Sequence, residues 1–250
     1  MGRFYFAFSR RSYMICRMER IGIIGAMESE VASIKEASTI LQVKEIASMH
    51  FTLANLYGHE VVICQSGMGK VNAAICAQTL INEFQCTSLI NTGVAGSLDN
   101  RLDIGDFVIA LDAVQHDFDV SPIGFQKGEI PFTGLYAFKT DDKLVQAAKE
   151  AVAYVAPESK VYPGRVCSGD QFITRLEQKQ RITDQFGGLC CEMEGAAIAQ
   201  VCYLNAIPFV IIRCVSDKND GSAAMEFEEF AAKAAVQCAN VVKHMISHMK

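Results

Sequence analysis

The stretch Ile21-Gly-Ile-Ile-Gly-Ala-Met-Glu-Ser-Glu30 decides the fold class, because a short apolar run passes directly into a polar, helix-forming segment. It predicts a buried strand over Ile21–Gly25 and a helix over Glu28–Ala47. Further strands are predicted at Val61–Gln65, Ser88–Asn91, Phe107–Leu111, Val161–Cys167, Leu189–Cys191 and Phe209–Val215. Further helices are predicted at Lys70–Phe84, Lys143–Val155, from the capping box Thr174–Glu177 to Phe186, Glu192–Leu204 and Glu226–Met249.

Strands that alternate with helices predict an α/β fold in which helices cover both faces of a largely parallel sheet. The chain has 250 residues, half of them apolar, and no repeat or linker interrupts it, so a single domain is expected. The formal net charge of −5 argues against a nucleic-acid partner. No apolar run approaches the roughly 20 residues of a membrane span.

The ten cysteines predict no metal site and no disulfide framework. None of them forms a Cys-x-x-Cys pair, and most lie inside apolar runs, so we expect buried, reduced thiols in a cytoplasmic protein. The pair His244-x-x-x-His248 has metal-ligand spacing, but it lies in the final helical turns with no third ligand nearby. The segment His116-Asp-Phe-Asp119 is interpreted as a pocket wall or a loop network.

Residues 1–20 form a separate segment, rich in arginine and with no acidic residue before Glu19. A new strand pattern begins at Met18, so we interpret residues 1–20 as an extension that is disordered or not part of the fold, and 21–250 as the domain. An organelle transit peptide and an ordered role are the alternatives.

In a parallel sheet the functional site lies at the carboxyl ends of the strands, and three segments there carry glycine and polar residues. These are Gly25–Glu30, Ser66–Asn72 and Asn91–Gly96. The pattern Gly67-x-Gly69 is a weak match to a dinucleotide-binding loop. Its glycines suit either close approach of a ligand or tight turns.

Two further segments combine buried strands with charged residues. Glu192 and Glu194 begin a predicted helix, two residues apart, so we expect them on opposite sides with different roles. Arg213 interrupts an apolar strand, and Asp217 follows that strand. A buried arginine needs a partner, and an acid at a strand end can transfer protons.

These segments together resemble the 5′-methylthioadenosine/S-adenosylhomocysteine nucleosidase family of the nucleoside phosphorylase superfamily. The matching strings run in the family's order over residues 21–250, and they are Ile21-Gly-Ile-Ile-Gly-Ala-Met-Glu-Ser-Glu30, Ser66-Gly-Met-Gly-Lys-Val71, Asn91-Thr-Gly-Val-Ala-Gly96, His116-Asp-Phe-Asp-Val120, Ser168-Gly-Asp-Gln-Phe-Ile173, Glu192-Met-Glu194 and Arg213-Cys-Val-Ser-Asp217. The resemblance implies a central twisted mixed sheet flanked by helices, a homodimer, and hydrolysis of adenine thionucleosides without a metal or organic cofactor.

The resemblance also implies a role for each matching residue. Asp217 would protonate adenine N7, and Glu30 would activate the attacking water. The substrate-binding residues would be Glu194 and Met193 at the ribose, Glu192 and Arg213 in the water and ribose region, Phe172 and Ile173 at adenine, Met68 at the alkylthio group, Ala95, Gly96 and Ser216 along the pocket, and Val120, Ile123, Phe125 and Pro131 lent by a neighbouring subunit.

Three positions depart from the family pattern. Gly195 stands where alanine is usual, and we expect little effect from it. Val94 stands where many members have serine, which removes a hydroxyl near the reacting sugar. Phe125 stands where tyrosine is common.

Three other functions remain as alternatives: hydrolysis of a related adenine nucleoside such as aminofutalosine, phosphate-dependent cleavage, and non-catalytic nucleoside binding. Glu28 and Glu30 would repel phosphate, which favours water as the nucleophile. The presence of both Glu30 and Asp217 favours an enzyme.

We expect a chain that begins at Met18 to keep its thermal unfolding midpoint, because the first strand pattern starts after it. Differential scanning calorimetry of the full and shortened chains checks this. A loss of several degrees in the shortened chain would show that the extension stabilises the fold.

Overall fold

The computed structural model describes residues 19–131, 133–219 and 223–249, which form one ten-stranded sheet flanked by six helices. The strands are β1 (Arg20–Gly25), β2 (Thr39–Ile46), β3 (Met49–Leu56), β4 (His59–Gln65), β5 (Ser88–Ser97), β6 (Phe107–Gln115), β7 (Phe138–Lys139), β8 (Val161–Ser168), β9 (Cys190–Glu192) and β10 (Phe209–Asp217). The helices are α1 (Glu28–Glu36), α2 (Lys70–Asn82), α3 (Asp142–Val155), α4 (Leu176–Phe186), α5 (Gly195–Asn205) and α6 (Ala223–His248), with a 3₁₀ turn at Ser121–Ile123.

The sheet is mixed, as the family resemblance implied. Its order is β10-β6-β8-β9-β5-β1-β4-β3-β2, and β10 also pairs with β5, so five strands close into a ring. The pairs β1–β4, β1–β5, β10–β5, β6–β8 and β8–β9 are parallel, whereas the remaining pairs are antiparallel. The expectation of a largely parallel sheet is therefore wrong at the β2–β3–β4 meander and around β9 and β10.

Helices cover both sides of the sheet. One apolar cluster joins the sheet to α1, α3 and α6, and a second joins it to α2 and α5. A smaller cluster under α4 contains Ile182 and Phe186 together with Ile173. These two-sided contacts hold the strand ends of β5, β9 and β10 rigidly beside one another.

The predicted helix over Glu28–Ala47 is wrong in its second half. Helix α1 ends at Glu36, and β2 begins at Thr39 and pairs with β3. The β-branched residues Thr39, Ile40 and Val43 suit a strand. Because β2 is exposed along almost its whole length, its side chains do not alternate between buried and exposed positions as those of a half-buried strand do.

Three other differences from the sequence expectations concern the site. β5 runs to Ser97, so the segment Asn91–Gly96 lies within the strand rather than after it. The capping box at Thr174 does not form, because α4 begins at Leu176 with Arg175 as its N-cap. Helix α5 begins at Gly195, which leaves Glu192 in β9 and Glu194 at the N-cap.

The described chain starts just before β1. Residues 1–18, on which most of the extension hypothesis falls, lie outside the described residues. Arg20, which the sequence analysis assigned to the extension, is the first residue of β1. Its guanidinium forms an ion pair with Glu60 at 2.7 Å and donates a hydrogen bond to the carbonyl of Phe84 at 2.6 Å.

The nine cysteines within the described residues are all buried and carry free thiols. Among the same residues, no helix combines the length and the apolar character needed to cross a bilayer.

Candidate active site

A pocket of about 80 Å³ opens where β5, β9 and β10 end. Side chains from α1, from the segment before α2 and from α6 complete its wall. Of the residues expected from the sequence, the wall contains Glu30, Met68, Ala95, Gly96, Phe172, Ile173, Glu192, Met193, Glu194, Ser216 and Asp217. The fold therefore brings residues from seven separate chain segments into one cavity.

Glu30 lies on the first turn of α1, and main-chain N–H groups hold its carboxylate. Ala26 and Met27 donate to Oε2 at 2.6 and 2.9 Å, and Val94 donates to Oε1 at 3.1 Å. Burial raises the pKa of Glu30, and the backbone donors and the nearby Arg213 lower it only in part. A buried carboxylate with a raised pKa is suited to accept a proton from water.

Asp217 ends β10, opposite Gly96 of β5 and beyond a break in the register between Val215 and Asp217. The Ser216 hydroxyl lies 3.0 Å from its Oδ1, and the ammonium of Lys179 lies 2.9 Å from its Oδ2. Asp217 is 2% exposed and Lys179 is fully buried. The ion pair that they form is therefore shielded from water.

The glycines of β5 make room for both acids. A Cβ at residue 96 would lie 2.8 Å from Oδ2 of Asp217. A Cβ at residue 93 would collide with the carboxylate of Glu30. These two positions need glycine because the carboxylates approach the strand more closely than a side chain allows.

Arg213 lies behind the pocket wall rather than on it. Its guanidinium donates to Glu192 at 2.5 Å and to the side chain of Asn91, and it is 2% exposed. Glu192 also accepts from the Ser168 hydroxyl. Burial raises the pKa of Glu192, but Arg213 and Ser168 outweigh it and hold that pKa below its usual value.

Glu194 lies at the N-cap of α5 and faces the same cavity as Glu192. The expectation that the two carboxylates point to opposite sides is wrong, because neither residue lies within the helix. The N–H of Gly69, which has a positive φ of 95°, donates to Glu194 Oε1 at 2.7 Å. Burial and the neighbouring Glu192 raise the pKa of Glu194 to about 7.

Apolar side chains form the rest of the wall. Met68 and Phe172 are strongly exposed at its mouth, and Met193 is half-buried. Phe227 of α6 packs edge-on against Phe172 with ring centroids 5.1 Å apart. Such a slot can hold a flat aromatic base next to an apolar substituent.

The residues expected from a neighbouring subunit do not reach the pocket of their own chain. Val120, Phe125 and Pro131 are half-buried, and Ile123, in the 3₁₀ turn, is 73% exposed. Ile130, in the same segment, is buried in the main core.

The segment His116–Asp119 forms a loop network. Asp117 forms an ion pair with Lys70 at 2.6 Å and accepts a hydrogen bond from the main-chain N–H of Asp170 at 2.8 Å. These contacts tie the start of α2 to the segments that follow β6 and β8. Within the described residues, no group of three or more His, Cys, Asp or Glu side chains is placed to hold a metal ion.

Several wall or near-wall residues were missed from the sequence, and three of them show why. Met27 precedes α1, Phe227 lies on a long amphipathic helix, and Lys179 occupies a polar helical segment. Only Met27 had a usable signal, because it stands between the first strand and Glu30.

The comparisons with known proteins agree with this geometry. The model of the phosphorylase superfamily matches residues 20–247. A 5′-methylthioadenosine/S-adenosylhomocysteine nucleosidase of Staphylococcus aureus is 43% identical over 92% of this chain and all of its own length.

Solved structures give the same picture. The nucleosidase of the same kind from Neisseria meningitidis, in complex with methylthio-immucillin-A, superposes with a TM-score of 0.88 and 36% identity over 92% of this chain and all of that one. The futalosine hydrolase of Helicobacter pylori superposes with a TM-score of 0.87 and 31% identity over 93% and 99% of the two chains. With its matched fold and its acid-lined pocket, this chain belongs to the phosphorylase superfamily and, within it, to the 5′-methylthioadenosine/S-adenosylhomocysteine nucleosidase family.

Proposed function

We propose that this protein hydrolyses the N-glycosidic bond of 5′-methylthioadenosine and S-adenosylhomocysteine and releases adenine. One observation carries the proposal: two buried carboxyl groups, Glu30 and Asp217, line one small pocket and approach neighbouring glycines of the same strand. The names of the relatives supply the substrate class.

Glu30 is the base that activates water. Water attacks the anomeric carbon and loses a proton to Glu30, whose raised pKa favours that transfer. The three backbone donors keep the carboxylate pointing into the pocket. Negative charge near the sugar also stabilises the oxocarbenium-like transition state.

Asp217 is the acid. The bond between the anomeric carbon and the base breaks, and its electron pair goes to the base. Asp217 gives a proton to N7, so adenine leaves without a full negative charge. The ion pair with Lys179 and the contact with Ser216 support this role, because they hold the carboxyl group at the pocket.

The remaining wall residues bind the substrate. Glu194 accepts the ribose hydroxyls, with Met193 beneath the sugar, while Glu192 and Arg213 shape that region. Phe172 stacks on adenine, the backbone of Ile173 contacts the edge of the base, and Met68 lines the alkylthio end. All of these except Arg213 line the pocket.

Water, rather than phosphate, is the nucleophile. Glu30, Glu192 and Glu194 surround the sugar end of the pocket, and an anionic phosphate would meet their negative field. Lysine or arginine side chains at the nucleophile would be expected in a phosphate-dependent relative.

We expect adenine and free methylthioribose from methylthioadenosine in phosphate-free buffer, with the same rate after phosphate is added. Product analysis by chromatography checks this. A strict need for phosphate, with a sugar phosphate as the product, would overturn the assignment.

A second candidate substrate is aminofutalosine. The futalosine hydrolase of Helicobacter pylori shares this fold at 31% identity, and such a substrate carries the same adenine and ribose. The same assay with aminofutalosine compares kcat/KM between the two substrates.

Asp217→Asn is expected to lower kcat for adenine release by roughly 10²–10⁴, or about 3–5 kcal/mol of barrier. Asparagine keeps the size of the side chain but cannot give a carboxylic proton to N7. Binding of an unreactive substrate analogue should change less, because Phe172 and Glu194 remain. A decrease of less than about tenfold in a folded variant would show that Asp217 is not the acid.

We also propose that the chain is a cytoplasmic homodimer whose pockets are completed across the interface. Apolar side chains are exposed near the pocket mouth, on the 3₁₀ turn, and on α2 and α5, which pack against each other. They are Met68, Val71, Ile75, Ile123, Tyr203 and Leu204. A surface with that many exposed apolar residues suits association.

Ile123→Asp is expected to weaken both association and substrate binding, because a buried, unpaired carboxylate at the interface is costly. Sedimentation velocity and the KM for methylthioadenosine check this. Ile40→Asp is the matched control, since Ile40 is 55% exposed on the edge strand β2 and should leave both unchanged. A fully active monomer of the unaltered chain would refute the dimer.

A further inference from the structure

Lys179 is a charged residue at a position that is buried in the core. Helix α4 buries three side chains along one stripe, Lys179, Ile182 and Phe186, and the latter two belong to an apolar cluster. Lys179 is fully buried and ranks among the largest such side chains in the described residues. A leucine would suit the helical pattern at this position equally well.

An ammonium group at this depth is costly unless strong partners compensate for its lost hydration. Lys179 Nζ donates to Oδ2 of Asp217 at 2.9 Å and to the carbonyl oxygen of Lys218 at 2.5 Å. Both partners lie at the end of β10, so the long side chain connects α4 to the catalytic strand end. No other residue proposed for the reaction lies on α4.

The contacts of Asp217 divide between its two oxygens. Oδ2 faces Lys179 and the glycine at position 96, and Oδ1 faces the Ser216 hydroxyl at 3.0 Å. Rotation of the carboxyl group would break the ion pair. The Cys191 thiol also lies near the pair, and burial raises the pKa of that thiol to about 12, so it stays neutral there.

We propose that Lys179 is a positioning residue for the reaction: it fixes the orientation of the Asp217 carboxyl group and stabilises the carboxylate that remains after the proton has moved to the base. This rests on the proposed function. Asp217 takes up a proton before the step, and that proton then passes to N7. The electron pair of the breaking bond goes to adenine, and the ion pair between Asp217 and Lys179 is restored.

The charge balance explains why the residue is a lysine. Once the proton has gone, Asp217 is an anion in a site that is almost closed to water. An ammonium 2.9 Å away compensates for that charge at the moment it forms. The cation thereby lowers the cost of a buried carboxylate in the transition state.

The test is a double-mutant cycle between Lys179→Met and Asp217→Asn, with kcat for adenine release from methylthioadenosine as the readout. In the unaltered background, Lys179→Met should lower kcat by at least about tenfold, with KM changed by less than about threefold. In the Asp217→Asn background it should lower kcat by less than about twofold, because the group that it serves is gone. Arg181→Met is the matched control, since Arg181 is an exposed cation on the same helix.

A merely structural role would lower kcat by the same factor in both backgrounds, and that result overturns the proposal. Lys179→Gln covers the case in which the methionine variant does not fold, because an amide keeps a hydrogen bond to Asp217 without the charge. It should also lose at least about tenfold in kcat only where Asp217 is present. If the unaltered chain releases no adenine, the proposed function fails; if it does and the cycle is additive, only the proposal for Lys179 fails.

Discussion

The buried ion pair between Arg213 and Glu192 is the interaction on which the site depends. One guanidinium connects β10 to the Asn91 side chain of β5 and to the carboxylate of β9. Glu192 in turn accepts from the main-chain N–H groups of Glu194 and Gly195, which begin α5. Removal of one partner from such a pair typically costs about 3–5 kcal/mol.

Four carboxyl groups share the cavity, and each is accommodated in a different way. Glu30 is held by backbone amides, Glu192 by Arg213, and Asp217 by Lys179. Glu194 has a single backbone donor, and its pKa is raised to about 7. Glu194, whose negative charge has the weakest compensation, is therefore the carboxyl group that exchanges its proton most readily near neutral pH.

Much of this arrangement could be predicted from the sequence, because strand ends in α/β folds carry the chemistry. The segments around Glu30, Glu194 and Asp217 each stand beside an apolar run, and the fold brings all three to the cavity. The exposed strand β2 could not be predicted, since its pairing with β3 is a tertiary contact that no local pattern records. Lys179 was missed for a related reason: among the polar residues of α4 a lysine resembles a solvated surface residue, and only the packed structure shows it buried.

The way Glu30 is held has a consequence for how the family can diversify. Its three hydrogen-bond donors are main-chain N–H groups of residues 26, 27 and 94, and every amino acid except proline supplies such a group. Position 94 can therefore be serine or valine, and Glu30 keeps all three of these backbone contacts in either case. Asp217 instead pairs with the side chain of Lys179, and a single codon change can remove that charge. Substitutions near Glu30, the residue that activates water, are thus tolerated more readily than a substitution of Lys179 beside Asp217.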